Sequence, residues 1–407
     1  MAENICPKKG GKYMKFTVES SRFAECMRKI QPAVGVTKEK KEVTENSVRL
    51  TMTKKQKIKE GYIGMAVSFD GKKQLFSAFL INELEMEEED YDAYISGKKL
   101  CDITNALNNG NEAPLSLEVG KNCIIKKGGN QVQIPLGEEP VIIAPTNDWL
   151  VRTTMDTKKF LEILFKAGRF YDSGADGVTG SVCIRFDMEN GKFQMSSTDT
   201  YKLAFYGDSV KYELPDSAKE EGSEQKKEFL YQVDGDQLKI LTRFLTGKNT
   251  EICAYEKYLY FKSEADIAMF MIKDAGDNPY ALSGVISMAN GHSRASKITA
   301  LPKDVLEILD VFDVANQGEE PFVYITKNKT GGLCFSTKAK TYKGIVPCKV
   351  EGKFKDMILN SKFFRMVLDN YDKEEAMSIF VGDSNEGILL KDAEETEDFN
   401  IAIRMAE

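Results

Sequence analysis

A pattern repeated at two levels constrains this chain more than any other feature. Three segments each run from a short strand through a polar break into an amphipathic helix. They are "MKFTVESSRFAECMRKI" from Met14, "VRTTMDTKKFLEILFKAGRF" from Val151 and "KITALPKDVLEILDVF" from Lys297. A capping-type residue or a proline announces each helix: Ser20, Asp156 and Pro302. A second strand-plus-helix follows in each third, as "AYISGKKLCDITNAL" from Ala93, "LYQVDGDQLKILTRFL" from Leu230 and "MILNSKFFRMVLDNY" from Met357. Hairpin-like runs close every third: "LSLEVGKNCIIKKGGNQVQIPL", "TEICAYEKYLYFKSEADIAMFMI" and "MSIFVGDSNEGILLKDAEETEDFNIAIRM". Self-similarity at a fixed period reads as an array of equivalent units. The expected class is therefore α+β, with three tandem domains that each perform strand–helix–strands twice and about six helices in all. The divisions fall at 1–13 (an N-terminal extension), 14–148, 149–285 and 286–407. The linkers are "EEPVIIAPTNDW", which holds two prolines, and the small, polar "SMANGHSRAS", where His292 is expected to be a solvated loop residue.

Composition removes most enzyme classes. The single histidine, His292, starves any Ser-His-Asp or Cys-His device. No GxxxxGK[ST] and no GxGxxG stands between a strand and a helix, so phosphate-cradling loops are missing. The eight cysteines, at 6, 26, 101, 123, 183, 253, 334 and 348, form no CxxC pair and read as reduced, buried thiols. No catalytic residue, metal or cofactor is expected; a hydrolase using Asp199 with Asp277 has nothing positive behind it. No run reaches the roughly 18 apolar residues of a membrane span, and the N-terminus lacks a signal-peptide core. A cytoplasmic location without membrane contact is the expectation. The net charge of −7, from 56 basic and 63 acidic residues, argues against a nucleic-acid-coated protein. It leaves room for a local basic surface.

Helical projection supplies one. Lys158, Lys159, Lys166 and Arg169 oppose Phe160, Ile163, Leu164 and Ala167 within Thr157–Phe170. Arg22, Arg28 and Lys29 oppose Phe23, Cys26, Met27 and Ile30 in the first helix. Lys239 and Arg243 oppose Leu238, Leu241 and Leu245 in an expected helix Asp236–Leu245, and Lys362 lies with Arg365 in Ser361–Asp369. Singly, each is a solvated face; repeated at equivalent places, they suggest one basic surface lined by helices. Glu307, Asp310 and Asp313 break the pattern in the first helix of the last third and would repel DNA there. Tandem units also leave a sheet edge open at each chain end. Joining those edges head to tail between two chains would close a ring, with the strand holding Val132 and Ile134 meeting the third domain of the other copy. A basic inner wall would hold a polyanion without reading its sequence.

The stretch "SSTDTYKLAF" from Ser196 follows "IRFDMENGKFQM", whose Asn190-Gly191 suits a tight hairpin. With the opening "MKFTVE", the segment "DNPYA" and the closing "FNIAIRMAE", this block gives the chain from Met14 to Glu407 a family likeness. The chain resembles the bacterial sliding clamp, the beta subunit of DNA polymerase III. The family pattern Thr-Asp-Gly/Ser-His-Arg-Leu-Ala stands here as Thr198-Asp199-Thr200-Tyr201-Lys202-Leu203-Ala204. The resemblance implies a non-catalytic processivity factor, a homodimeric ring around double-stranded DNA, loaded by a clamp loader and tethering the polymerase III alpha subunit and other motif-bearing clients. It implies a hydrophobic peptide cleft walled by Thr198, Tyr201, Lys202 and Leu203, with Pro279 as floor and Ile401 and Ile403 opposite. Met405 continues their alternation, which an ordinary core strand would also show. Lys38, with Lys40 and Lys41, falls where the family places a basic DNA-contacting loop, though a solvated charge run reads the same way. Tyr201 and Lys202 replace the usual His and Arg, and lysine lacks the planar guanidinium fork. The alternative is a clamp-fold docking module that no longer encircles DNA.

Overall fold

A computed structural model of the chain describes residues 14–34, 36–39, 42–45, 47–53, 61–69, 73–81, 83–86, 90–108, 113–139, 142–143, 147–215, 227–273, 282–383 and 387–404. Its helices are α1 (Ser20–Ile30), α2 (Gly97–Leu107), α3 (Thr157–Ala167), α4 (Gly235–Leu238), α5 (Leu241–Phe244), α6 (Leu282–Asn290), α7 (Pro302–Ala315) and α8 (Ser361–Leu368). The described residues group into two compact units. One draws on the described residues within 1–158, 212–223 and 240–272, the other on those within 159–211, 224–239 and 273–407.

In the first unit, period-two alternation makes strands with one buried face. Met14, Phe16 and Val18 point inward from Met14–Val18, and Leu115–Val119 and Cys123–Lys127 follow the same rule. These strands form a five-stranded sheet in the order Asn130–Ile134, Cys123–Lys127, Leu115–Val119, Met14–Val18, Glu83–Met86. A nine-stranded sheet runs Tyr212–Glu213, Val151–Asp156, Asn249–Ala254, Tyr258–Ser263, Asp266–Met271, Lys73–Ile81, Gly61–Phe69, Ser47–Thr53, Asp90–Ser96. α1 buries Phe23, Ala24, Met27 and Ile30, and Phe23 meets Phe79 edge-on at 5.2 Å. Each such phenylalanine contributes about 2–3 kcal/mol by leaving water.

The second unit repeats this plan. Its nine-stranded sheet runs Glu228–Asp234, Ser181–Asp187, Lys192–Thr198, Lys202–Ser209, Phe399–Ala402, Ile388–Asp392, Met377–Val381, Ser296–Ala300, Lys349–Gly352. Its four-stranded sheet runs Lys343–Val346, Leu333–Ser336, Phe322–Lys327, Met357–Asn360. Each nine-stranded sheet is thus a five-stranded set joined to a four-stranded set from the preceding third of the chain. The seams are Ile267↔Phe76 with its neighbours in one unit and Leu203↔Ile401 with its neighbours in the other. By the same order, Asn130–Ile134 and Lys343–Val346 are the strands whose equivalents are paired elsewhere and which lie at sheet ends here.

Several expectations need correction. Asp236–Leu245 is not one helix. The Asp234 side chain caps α4 by accepting from the Asp236 and Gln237 N–H groups at 2.9 and 3.3 Å, α4 ends at Leu238, and α5 starts afresh at Leu241. The hairpin after Asp187 is wider than a two-residue turn: Asp187 pairs with Lys192, and Gly191 takes the left-handed φ of 64°. The stretch read as a linker around 287–296 contains the end of α6, whose Leu282, Val285 and Ala289 form a buried stripe among small residues. His292 is a brace, 9% exposed, rather than a solvated loop residue. The Arg294 N–H donates to its Nδ1 at 3.2 Å, so Nε2 carries the proton and donates to the Gly387 carbonyl at 2.8 Å. Cys26, Cys101, Cys123, Cys183 and Cys253 are buried. Burial pushes the Cys26 thiol to about 11 and those of Cys101, Cys123 and Cys253 to about 12, and raises Cys183 further. No helix among the described residues is long and apolar enough to cross a membrane.

Candidate functional site

The turn at 199–201 is built by side chains acting on the backbone. Asp199 Oδ1 accepts from the Tyr201 and Lys202 N–H groups at 3.1 and 2.8 Å, the Asx arrangement that substitutes for a backbone turn. Thr198 Oγ1 accepts from the Thr200 N–H at 3.0 Å and donates to the Lys202 carbonyl at 2.8 Å. Thr200 itself sits at φ 74°, an uncommon place for a β-branched residue. The Lys202 ammonium pairs with the Asp199 carboxylate and lies 4.2 Å from the centroid of Phe363. Only 3% of Lys202 is exposed, so it stabilises the turn from inside and presents no charge outward. That is a role the replacement of arginine by lysine did not suggest.

Beyond the turn, Lys202–Ser209 pairs antiparallel with Phe399–Ala402, and Leu203 stands opposite Ile401. The Ile403 N–H donates to the Tyr201 carbonyl at 3.0 Å, which carries the pairing past the strand end. Thr198, Tyr201, Lys202, Leu203, Ile401 and Ile403 are thus brought together on adjoining backbone. They differ in exposure. Tyr201 (49%) leans on Phe363 at 5.2 Å and, with Ile403 (43%), faces solvent. Leu203 and Ile401 are buried in an apolar cluster with Leu282, Val285 and Ala289 of α6. Such a surface can bind an apolar segment. Pro279, Met405, Asp277, Lys40 and Lys41 lie outside the described residues, as does the side chain of Lys38, whose backbone is in strand Val36–Glu39.

The helix cations divide by partner. Lys29 is withdrawn: its ammonium meets Asp266 Oδ2 at 2.7 Å, with its side chain 15% exposed, and Asp266 also accepts from Ser77 at 2.6 Å. Arg365 holds Asp310 at 2.6 Å and Asp313 at 3.0 Å, which neutralises much of the acidic face of α7. Lys159 and Lys166 share Glu162 at 3.5 and 2.8 Å, Arg169 meets Asp369 at 2.9 Å, and Arg22 meets Glu19 at 3.3 Å. Arg28, Lys158, Arg243 and Lys362 are exposed with no carboxylate partner among the described residues, and Lys239 is exposed as well. Val132 is half-buried and Ile134 buried on the end strand Asn130–Ile134.

Sequence reasoning missed the opposite face of the second unit's sheet. There Asn400 Nδ2 donates to the hydroxyls of Tyr206 and Tyr371, and its Oδ1 accepts from Asn370 at 3.0 Å. Burial raises both phenols well above their usual range. Asp398 accepts from the Gly207 N–H at 2.9 Å beside Lys159 and Lys166, and burial lifts its carboxyl to about 6. An asparagine inside the apolar "FNIA" was the available signal. Among the described residues no group of three or more His, Cys, Asp or Glu side chains could hold a metal ion.

No protein-family model matches the sequence, and no curated protein matches it. Solved structures do match in shape. The DNA polymerase III beta subunit of Thermotoga maritima, at 14% identity, covers 97% of this chain over 100% of its own, with a TM-score of 0.77. The DNA polymerase sliding clamp of Bacillus subtilis is 13% identical, with 97% and 100% covered and a TM-score of 0.79. A Pseudomonas aeruginosa sliding clamp bound to griselimycin is 13% identical, with 98% and 100% covered and a TM-score of 0.78. This chain has the fold of the DNA polymerase III beta subunit sliding clamps.

Proposed function

We propose, from that fold, that the protein is a DNA sliding clamp, a non-catalytic processivity factor of three domains at 14–148, 149–285 and 286–407. Two copies close head to tail around duplex DNA, and the ring tethers the replicative polymerase and other clients. The observation that carries this reading is the strand order. The same five-plus-four arrangement is completed twice within the chain and is left half-made at two sheet ends. Asn130–Ile134, with Val132 and Ile134, then pairs with Lys343–Val346 of a second copy. Ile345, 54% exposed on that strand, supports this, because an apolar residue on an open edge invites a partner. Arg28, Lys158, Arg243 and Lys362 supply phosphate contacts, and their attraction does not depend on sequence. Clients dock by a short apolar motif on Tyr201 and Ile403, over Leu203 and Ile401, while Thr198 and Lys202 hold the turn.

Retention on DNA tests the proposal. Loaded onto nicked circular plasmid by a clamp loader, the protein is expected to remain on the circle and to run off once the plasmid is cut. Equal loss from both, or a mass of one chain at high protein concentration, would refute encirclement. Client binding that survived such a result would mark a docking module.

A further inference from the structure

The face of the second unit's sheet that carries α6 does not end at Leu203 and Ile401. Further along the same strands a cavity of about 450 Å³ opens beside the end of α6. Its floor is the stacked pair Phe205 and Phe399, 5.1 Å apart, joined by Ile286 and Ala289. Its walls carry four cations, Arg185, Lys192, Arg294 and Lys391, and two carboxylates, Asp187 and Glu397. Both carboxylates are already engaged. Asp187 faces Arg185 at 3.3 Å, and Glu397 pairs with Lys192.

Arg294 and Lys391 are placed differently. Neither has a carboxylate within ion-pair distance among the described residues. Among the described residues the Lys391 ammonium donates only to the backbone carbonyls of Glu395 and Thr396. The Arg294 guanidinium lies 5.1 Å over the ring of Phe380, and its backbone is held in a left-handed turn by the bond to His292. Burial and the neighbouring Arg294 charge push the Lys391 ammonium below its usual range. Two like charges in the wall of one cavity disfavour each other, and an anion set between them would reverse the sign of that interaction. A nucleic-acid strand would need a longer row of cations. A short peptide needs only an apolar foothold and one opposite charge.

We propose that this cavity is a second peptide-docking site, taking an aromatic side chain on Phe205 and Phe399 and an adjacent carboxylate between Arg294 and Lys391. It does not depend on the encircling role. Titration of the full chain with N-acetyl-Phe-Glu-amide and N-acetyl-Phe-Gln-amide, followed by NMR, tests it. The glutamate probe should saturate in the millimolar range and the glutamine probe should bind about tenfold more weakly. Arg294→Gly, compatible with the left-handed backbone, and Lys391→Met should each weaken the glutamate probe about five- to tenfold and leave the glutamine probe unchanged. Tyr201→Ala combined with Ile403→Ala should have no effect. Equal affinity for the two probes, no saturation by about 20 mM, or indifference to both cation substitutions overturns the site. So does loss of binding only in the Tyr201/Ile403 variant, which would put the probe in the other cleft.

Discussion

Asp398 offers the sharpest test of the interior. Its carboxyl, ordinarily at 3.8, stands at about 6 in the folded protein, because burial outweighs the Gly207 N–H and the Lys159 and Lys166 charges. With a raised folded value, the unfolded chain releases its proton first as pH rises. The stabilising contribution present below 3.8 is therefore lost across the window from 3.8 to about 6 and stays lost above it. At about 1.4 kcal/mol for each pH unit, that gap costs up to about 3 kcal/mol at neutral pH. Asp398→Asn keeps a carbonyl oxygen for the Gly207 N–H and removes the charge. The variant should be more stable than the parent by about 1–3 kcal/mol at pH 8 and nearly equal to it at pH 4. Urea unfolding followed by circular dichroism at pH 4, 6 and 8 measures the difference. A variant no more stable at pH 8, or one with the same advantage at both extremes, would refute the reasoning.

Lys29→Met leaves the buried Asp266 carboxylate with Ser77 and Thr246 alone, and should lower stability by about 3 kcal/mol in the same assay. Thr200→Gly removes a β-branched residue from φ 74° and should stabilise the fold by up to about 1 kcal/mol in thermal melts, with partner binding unchanged. If the proposed ring forms, Ile345→Glu, on the exposed end strand, should leave circular dichroism intact and give a monomer in analytical ultracentrifugation where the parent gives a dimer. Lys158→Ala should reduce the slope of log affinity against log salt by about 0.9, whereas Lys29→Met should leave that slope alone.

The repeat was legible because alternation and helical period survive any surface substitution: Met14, Phe16 and Val18 announce a half-buried strand whatever lies between them. The pairing of Leu203 with Ile401 was not legible. It joins positions nearly two hundred residues apart, and register depends on a seam that no local pattern encodes. α6 was hidden by its small residues, since its last turn, with Ser287 and Asn290, read as linker while Leu282, Val285 and Ala289 set the buried stripe. His292 was misjudged for a related reason. Flanking glycine and serine suggested solvent, but both ring nitrogens serve backbone partners, one of them the distant Gly387. The helix cations were found by projection, yet projection cannot tell which of them a carboxylate from another element already holds.

That distinction decides how an acidic chain can present a basic surface. An exposed ion pair is worth about 0–1 kcal/mol, so phosphate can displace Glu162 from Lys166, or Asp369 from Arg169, at little cost. The pair between Lys29 and Asp266 is different, because pulling the ammonium outward would strand a carboxylate that is 6% exposed. Arg365 works in the opposite sense: by holding Asp310 and Asp313 it spends its own charge and removes a repulsive face from α7. The effective charge of each helix is therefore set by burial of each partner, and net composition is a poor guide to it. A chain of net charge −7 can therefore still expose uncommitted cations, as Arg28, Lys158, Arg243 and Lys362 do among the described residues.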